Sequence, residues 1–535
     1  MKLNLEELKQ SGIWKEKGYE LPWFNIAEMH FETRNNPEWI HFGGGNIFRA
    51  FPACICQKLL NKGVQKTGII VAEGFDYEII ERIYKQHDNL SILAALNPDG
   101  SIEKTVIASV AEALCMDTAN TAHWSRLTEI FRAPSLKMAS FTITEKGYSL
   151  INGNREYTKE VIEDFEHGPF QVVSYMGKLT ALCYERFMAG ELPLTLVSMD
   201  NCSHNGTRLK EAVLLLTEKW IESGRVDARF LEYMKQKVTY PWTMIDKITP
   251  RPSKEVEEYL LNTGVEDIAA CTTERNTYCA PFVNAEKPQY LVIEEDFAGG
   301  RPFLEMEGVI FTTRDIVDKV EKMKVCTCLN PLHTALAIFG CLLGYQKISE
   351  EMKDEELKAL VYKIGYEEGL PAVKDPGIIR PEQFLSEVLT KRLPNPFIPD
   401  TPQRIACDTS QKLGIRFGET IKAYGEKKKA ASLTFIPLVL AGWCRYLMGI
   451  DDEGNPFTLS ADPVLVSVTP LFQGVKLGKE ENVHDLLKQL LGREDIFGVN
   501  LYQVGLGERI EGYFSEMKEG QHAIRSTLKK YLRQE

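Results

Sequence analysis

Apolar and polar positions follow two different periods along the chain. In the first half, short apolar runs recur between polar stretches: Trp39 to Phe42, Gly68 to Ala72, then LSILAAL, TVIASV, LKMASFTIT and LTLVS. Helical stretches such as AHWSRLTEIF lie between some of them. Short apolar runs bounded by turn residues read as buried strands, and their alternation with helices predicts an open α/β sheet. Further on, the period lengthens. TTRDIVDKVEKMK reads as an amphipathic helix: at about 100° per residue from Ile316, Val320 falls near about 40°, Met323 near about −20° and Val317 near about 100°. LHTALAIFGCLLGY reads as a buried helix, and QKISEEMKDEELKALVYK, dense in charge, as a solvated one. The prediction is a doubly wound α/β domain over 1–288 and a mostly α-helical domain over 289–535, meeting near Pro288.

The helical pattern also singles out a lysine. Lys324 falls near about 80°, inside the apolar arc, and Lys322 near about 240°, on the solvent side. A lysine turned toward the packed side is poorly solvated when charged, which suits a proton carrier; the alternative is a side chain snorkelling from the edge of the arc. Six positions on, Asn330-Pro331 reads as a helix start, with Asn330 as N-cap and Pro331 at the first helical position. His333 then sits in the first turn, either as a functional group or as a satisfied core histidine. The stretch from Lys319 to Ala337 is the place to look for chemistry.

Glycine placement adds a second candidate site. The run Trp39 to Phe42 is followed by Gly43, Gly44 and Gly45, then a predicted helix through CICQKLL. Strand, glycine turn and helix start let a backbone approach a pyrophosphate, giving a Rossmann-like candidate cofactor turn of Gly43, Gly45, Asn46, Ile47 and Phe48. Phe48 occupies the third small position of the usual fingerprint, a departure from it. The second apolar run ends in Glu73, with Asp76 close behind; an acid there accepts hydrogen bonds from the adenosine ribose and repels a 2′-phosphate, which favours NAD over NADP, while the other reading is a solvated turn residue. Thr144 and Glu145 close a later strand, and LTLVSMDNCSHNG ends another in Asp200, Asn201, His204 and Asn205. Asn201 can donate to an oxygen acquiring charge, or simply form an Asx turn.

Composition narrows the class. A net charge of −12 argues against broad nucleic-acid or anionic-membrane binding. The N-terminus is charged throughout and lacks the apolar core of a signal peptide. No run reads as membrane-spanning; FIPLVLAGWC is short, contains Pro437 and runs into Arg445. The 12 cysteines are scattered, as expected of reduced thiols in a cytoplasm. Cys326 and Cys328 near His333 lack a second ligand pair, so no metal site is expected.

GGGNIFRAF, TITEKGY, VSMDNCSHNG and MIDKITP, in this order, resemble the mannitol dehydrogenase family of polyol-specific long-chain dehydrogenases. In the second half, the K…N-x-x-H pattern of Lys324, Asn330 and His333 resembles the family's catalytic signature. NPFIPDTPQRIACDTSQKLGIRF resembles its substrate-side motif, with Arg404 and Lys412 eight positions apart. The resemblance implies metal-independent hydride transfer with NAD. Lys324 would be general acid/base, Asn201 and Asn330 stabilise the alkoxide, His333 orients the substrate, and Arg404 with Lys412 binds its far end. Glu321 has a family counterpart in a proton path to solvent. In the family the lysine lies five positions before the asparagine; here the spacing is six. The variant signature TCLNPLHTALA and the chain length resemble members acting on hexonates, implying interconversion of D-mannonate and D-fructuronate. Tagaturonate reduction, mannitol 2-dehydrogenation, action on a sugar phosphate and a non-catalytic NAD sensor are the alternatives. The expected partner is a small sugar acid or polyol, with no nucleic acid or membrane, and the chain a monomer or small homo-oligomer.

Overall fold

In the computed structural model, which describes residues 1–426, 429–479 and 482–533, six strands organise the N-terminal part. They are β1 (Trp39–Phe42), β2 (Ile69–Glu73), β3 (Val110–Cys115), β4 (Met138–Phe141), β5 (Leu194–Ser198) and β6 (Val238–Thr239), in the order β3-β2-β1-β4-β5-β6. Every neighbouring pair is parallel. This is the doubly wound order expected of a dinucleotide-binding sheet, and the order reverses between β1 and β4. Side chains alternate across the sheet. Ile40, Phe42, Ile70 and Ala72 face one core with Leu127, Phe131 and Leu179, while Trp39, Ile69 and Val71 face another with Ile55 and Leu59. Burial on both faces is why these strands read as continuous apolar runs.

Two predicted strands lie elsewhere. LSILAAL and TVIASV form an antiparallel hairpin, Ser91–Leu96 with Ile102–Ile107. It joins Tyr19–Glu20 and Phe282–Glu286 in a separate four-stranded sheet. The boundary near Pro288 also shifts. Tyr290–Glu294 pairs with Thr243–Asp246 and Ile310–Thr312, which ties the chain beyond Pro288 to the first unit. The two units are Met1–Asp318 and Lys319–Glu535.

The second unit is helical; its described residues contain no strand, only an isolated bridge between Ile450 and Pro456. The helix Phe435–Tyr446 is buried along its whole length, so its ends cannot borrow water. At its start, Glu368 accepts the backbone N–H groups of Thr434, Phe435 and Ile436 at 2.5, 2.8 and 2.7 Å. The next residue, Pro437, has no N–H to satisfy. At its end, Arg445 donates to the carbonyls of Met517, Ile450 and Asp451. The segment expected to be solvated is packed instead. It forms Ile348–Glu351 and Glu355–Lys363, and Leu357, Leu360 and Val361, spaced three and four apart, bury one face. Glu351 is fully buried, and among the described residues neither carboxylate oxygen has a hydrogen-bond partner. One continuous helical run, Arg314–Leu342, is long and apolar enough to cross a membrane, which the sequence reading did not anticipate; 78% of its most apolar window is buried inside the protein.

Two predictions follow from these buried carboxylates. Glu368→Ala exposes three buried N–H groups to no partner and should cost about 2–4 kcal/mol, read as a lower thermal midpoint, with Glu368→Gln losing less. Burial, then the charge of Asp354, holds the Glu351 carboxyl well above the ordinary carboxylate range. Its protonated form stabilises the fold fully below the unfolded pKa of about 4.3, and that contribution is lost as pH rises toward the folded value. Glu351→Gln should therefore gain stability over the native chain between pH 4 and pH 8, in thermal melts at each pH. A pH-independent difference would show that Glu351 carries no buried proton.

Candidate active site

The end of β1 is built for close backbone approach. Gly43 has φ +104°, and a Cβ there would strike the Thr142 carbonyl where β1 and β4 diverge. Gly44 is held from both sides: its N–H donates to Glu73 Oε2 at 2.9 Å, and its carbonyl accepts from the Tyr84 hydroxyl at 2.9 Å. Gly45 precedes the short helix Asn46–Ala50, whose start has no side-chain cap, and a Cβ at Gly45 would meet open space. An uncapped helix start beside open space fits the pyrophosphate of a dinucleotide, which the backbone N–H groups would hold.

Several predicted cofactor residues serve the scaffold instead. The Phe48 ring is fully buried and stacks on His41 with centroids 4.3 Å apart. Asn46 spends its side chain on the Pro250 carbonyl at 3.2 Å and on Arg49 at 3.0 Å. Ile47 is partly buried. Glu73 is not a solvated turn residue. It is buried, and besides Gly44 it accepts from the N–H groups of Phe75 at 2.9 Å and Asp76 at 3.3 Å. Burial raises its pKa, and the three N–H groups oppose that rise.

A polar chain runs under the same turn. Ser140 Oγ accepts from Trp39 Nε1 at 2.7 Å and shares a second hydrogen bond with His41 Nδ1, also at 2.7 Å. The other ring nitrogen, His41 Nε2, hydrogen-bonds with Thr142 Oγ1 at 2.8 Å. Burial holds this imidazole neutral, with its pKa pulled down to about 3.

Beside β1, the end of β4 is strained. Thr144 has φ +66°, unusual for a β-branched residue. Asp200, at the end of β5, holds it there: its carboxylate accepts from Ile143 N–H at 2.9 Å, Thr144 N–H at 2.8 Å and the Tyr148 hydroxyl at 2.6 Å. Burial raises the Asp200 pKa against these bonds. Exposed Glu145 pairs with Arg208 at 2.8 Å. Thr144, Glu145, Tyr148 and Arg208 line a surface pocket of about 950 Å³. Asn201 follows Asp200 directly and is exposed.

In the helical unit, Lys324 is 3% exposed, in the same buried arc as Val317, Val320 and Met323, while Lys322 is exposed. The predicted helix start at Asn330 is different. Helix Arg314–Met323 passes into a π-turn, Lys324–Cys328, and then directly into helix Asn330–Leu342, so Asn330 is the first helical residue and Leu329 stands at the cap position. The Leu329 N–H bonds to the Lys324 carbonyl five residues back at 3.2 Å. The wider turn admits Pro331 without breaking the run.

Asn330 and His333 are half-buried. His333 Nε2 meets Asp400 Oδ2 at 3.2 Å, and Asp400 also pairs with Arg404. Burial pushes the Asp400 carboxyl up, but the His333 hydrogen bond and the charges of His333 and Arg404 outweigh it and hold the group below its ordinary value. Arg404 is 63% exposed. Lys412 donates to the carbonyls of Ile405 and Cys407, so both predicted cations are already engaged. Cys328 donates to the Pro381 carbonyl at 3.9 Å, and the described residues contain no cluster of three metal-ligating side chains. Sequence reasoning missed Tyr84 as a clasp and Asp400 as the partner of His333. Asp400 lies just ahead of the helix Pro402–Ile405, where no helical spacing marks it as a partner of His333.

Residues 37–306 match the family model described as the mannitol dehydrogenase Rossmann domain, and 316–517 match the mannitol dehydrogenase C-terminal domain. The chain is 52% identical to a D-mannonate oxidoreductase of Thermotoga maritima across 100% of both chains. Among solved structures, it resembles D-sorbitol dehydrogenase in substrate-free form with a TM-score of 0.80 at 23% identity, covering 96% of this chain and 97% of that one. It also resembles Pseudomonas fluorescens mannitol 2-dehydrogenase in a ternary complex with NAD and D-mannitol, with a TM-score of 0.72 at 25% identity over 100% of both chains. The chain belongs to the mannitol dehydrogenase family.

Proposed function

We propose that this chain is an NAD-dependent oxidoreductase interconverting D-mannonate and D-fructuronate, with Lys324 as general acid/base. The observation that carries this is a lysine buried in a π-turn six residues before Asn330, in a chain similar from end to end to a D-mannonate oxidoreductase. Closing one turn over five residues instead of four absorbs one extra residue. Six positions across this turn therefore advance the helix about as five do in an undistorted one, which supports carrying the family's lysine role over to Lys324.

In the oxidation direction, Lys324 Nζ takes the proton of the secondary hydroxyl, and in reduction it returns a proton to the oxygen. Bound NAD supplies the acceptor for the hydride leaving the carbinol carbon. Asn330 donates to the oxygen as negative charge develops on it, the role that the family resemblance also gives Asn201. Asp400 fixes the ring of His333, which orients the substrate; Arg404 and Lys412 are assigned to its far end. The N–H groups of the Gly45–Phe48 turn hold the pyrophosphate, with Gly43 allowing the approach. Glu73 and Asp200 brace that turn and the Thr144–Glu145 loop. The partner is a small sugar acid, the compartment the cytoplasm and the assembly a monomer or small homo-oligomer.

Lys324→Ala should lower turnover by about a hundredfold or more while NADH affinity, measured by fluorescence titration, stays near that of the native chain. Near-normal turnover would remove Lys324 from the chemistry. NADH oxidation should be fastest with D-fructuronate when D-tagaturonate, D-fructose and D-fructose 6-phosphate are assayed in parallel. A preference for D-fructose over both keto-acids would move the chain to the polyol dehydrogenases, and NADH binding without turnover of any of the four would favour a sensor.

A further inference from the structure

Two arginines removed from water elsewhere in this chain, Arg186 and Arg445, are wrapped in carbonyls. Arg186 donates to the carbonyls of Phe131, Ala133, Leu136, Leu192 and Pro193, and Arg445 to three more. Arg416 is different. It is only partly accessible, and its single hydrogen bond among the described residues runs from Nη1 to Thr334 Oγ1 at 2.6 Å. Among the described residues no carboxylate forms an ion pair with it. Glu419, three positions on, is the acid a regular helix would offer, but Glu419 pairs with Lys422 at 2.7 Å. The π-turn Gly414–Gly418 carries Arg416 away from that face. Burial lowers the guanidinium pKa to about 10, the direction expected for a cation short of counter-charge.

Its neighbours are those of the candidate site. Thr334 follows His333 directly, and its hydroxyl donates onward to the Asn330 carbonyl at 2.9 Å. The Arg416 turn packs on the Lys324 turn, where Thr420 Oγ1 donates to the Cys326 carbonyl at 3.2 Å. Lys412, one turn earlier, has its pKa lowered by burial and then by the charge of Arg416, so the two cations share one field. Arg404, paired with Asp400, and Lys412, bound to carbonyls, are left to hold hydroxyls at the substrate's far end.

We propose that Arg416 recognises the substrate carboxylate, its unbonded edge forming a charge-assisted, fork-like contact while Thr334 fixes the other edge, and so selects hexonates over neutral polyols. This rests on the function proposed above. A planar guanidinium matches a carboxylate in both geometry and charge, and the far end of D-fructuronate differs from that of D-fructose only in carrying a carboxylate in place of a hydroxymethyl group.

The test compares Arg416→Gln and Arg416→Lys with the native holoenzyme. For Arg416→Gln, kcat/KM for D-fructuronate should fall about 100-fold, mainly through KM, while kcat/KM for D-fructose changes less than about threefold. Arg416→Lys, which keeps the charge without the fork, should fall between. Calorimetry on the NADH-saturated enzyme provides an arm that needs no turnover: Arg416→Gln should weaken D-mannonate about 100-fold and leave D-mannitol unchanged. Equal losses on acid and neutral ligand would reduce Arg416 to a structural support, and no loss on the acid would remove it from recognition; either result overturns the proposal. If the native enzyme reduces neither keto-acid, the proposed function fails by itself. An Arg416-dependent preference for D-mannonate over D-mannitol in calorimetry would still uphold the carboxylate contact, and its absence would overturn that too.

Discussion

A charge or backbone polar group taken out of water must be given a replacement for that water, and the folds of both units are tied down by meeting this demand. Glu73, Asp200 and Glu368 each gather backbone N–H groups: Glu73 at the cofactor turn, Asp200 at the strained Thr144 loop, Glu368 at the start of the most buried helix. Arg186 and Arg445 gather carbonyls. In each case one buried ion does the work of a cap or a turn, because a carboxylate accepts along several directions at once and a guanidinium donates along several. Loops held this way stay where the sheet or helix puts them without needing a hydrophobic contact of their own. The site residues inherit their positions from these braces. Thr144 keeps a left-handed conformation that its branched side chain resists because Asp200 holds the amides of both Ile143 and Thr144.

The same demand explains why some residues were legible in the sequence and others were not. Lys324 was readable because an α-helix advances by a fixed angle, so the apolar positions of Val317, Val320 and Met323 already placed the lysine among them. The sheet was readable because strands buried on both faces leave continuous apolar runs. What could not be read was direction over short distances. Whether the Glu73 carboxylate turns outward to a ribose or inward to Gly44, Phe75 and Asp76 depends on three N–H groups from two separate segments. The π-turn was equally hidden: nothing in KVCTC marks a ring closed over five residues, and Asn330-Pro331 is the usual signature of a helix start. The charged segment around Glu351 misled because its few apolar residues, Leu357, Leu360 and Val361, outweigh the charges once they align on one face. The boundary moved for a similar reason, since the pairing of Tyr290–Glu294 with a strand some forty-five residues earlier leaves no local mark.

Paired π-turns are the structural signature of the helical unit's candidate site. A π-turn is poorer in hydrogen-bond geometry than the α-helix around it and persists where neighbours hold it. Here the Lys324 turn and the Arg416 turn support each other, and the Thr420 hydroxyl serves a carbonyl of the partner turn. The far side of the Arg416 turn is equally constrained: a Cβ at Gly418 would collide with the Phe497 carbonyl. The turn is therefore clamped between the lysine turn and the Phe497–Gly498 bend.

This clamping links two chemical requirements that are usually met separately. A general acid/base must sit at a set distance from the reacting oxygen, and a remote charge must sit at a set distance from the other end of the same molecule. On the proposed roles of Lys324 and Arg416, the packing of their two turns and the link from Arg416 through Thr334 to the backbone of Asn330 fix the span between proton carrier and remote charge by backbone contacts, not by flexible side chains. A substrate of the right length then satisfies both ends at once, and binding energy gained at the carboxylate is available to hold the hydroxyl against the lysine. A shorter acid or a neutral polyol would meet only one of the two. Selectivity on such a scaffold lies in the spacing of two helical irregularities, so an insertion in either turn would alter substrate length preference without touching a residue that contacts the reacting carbon.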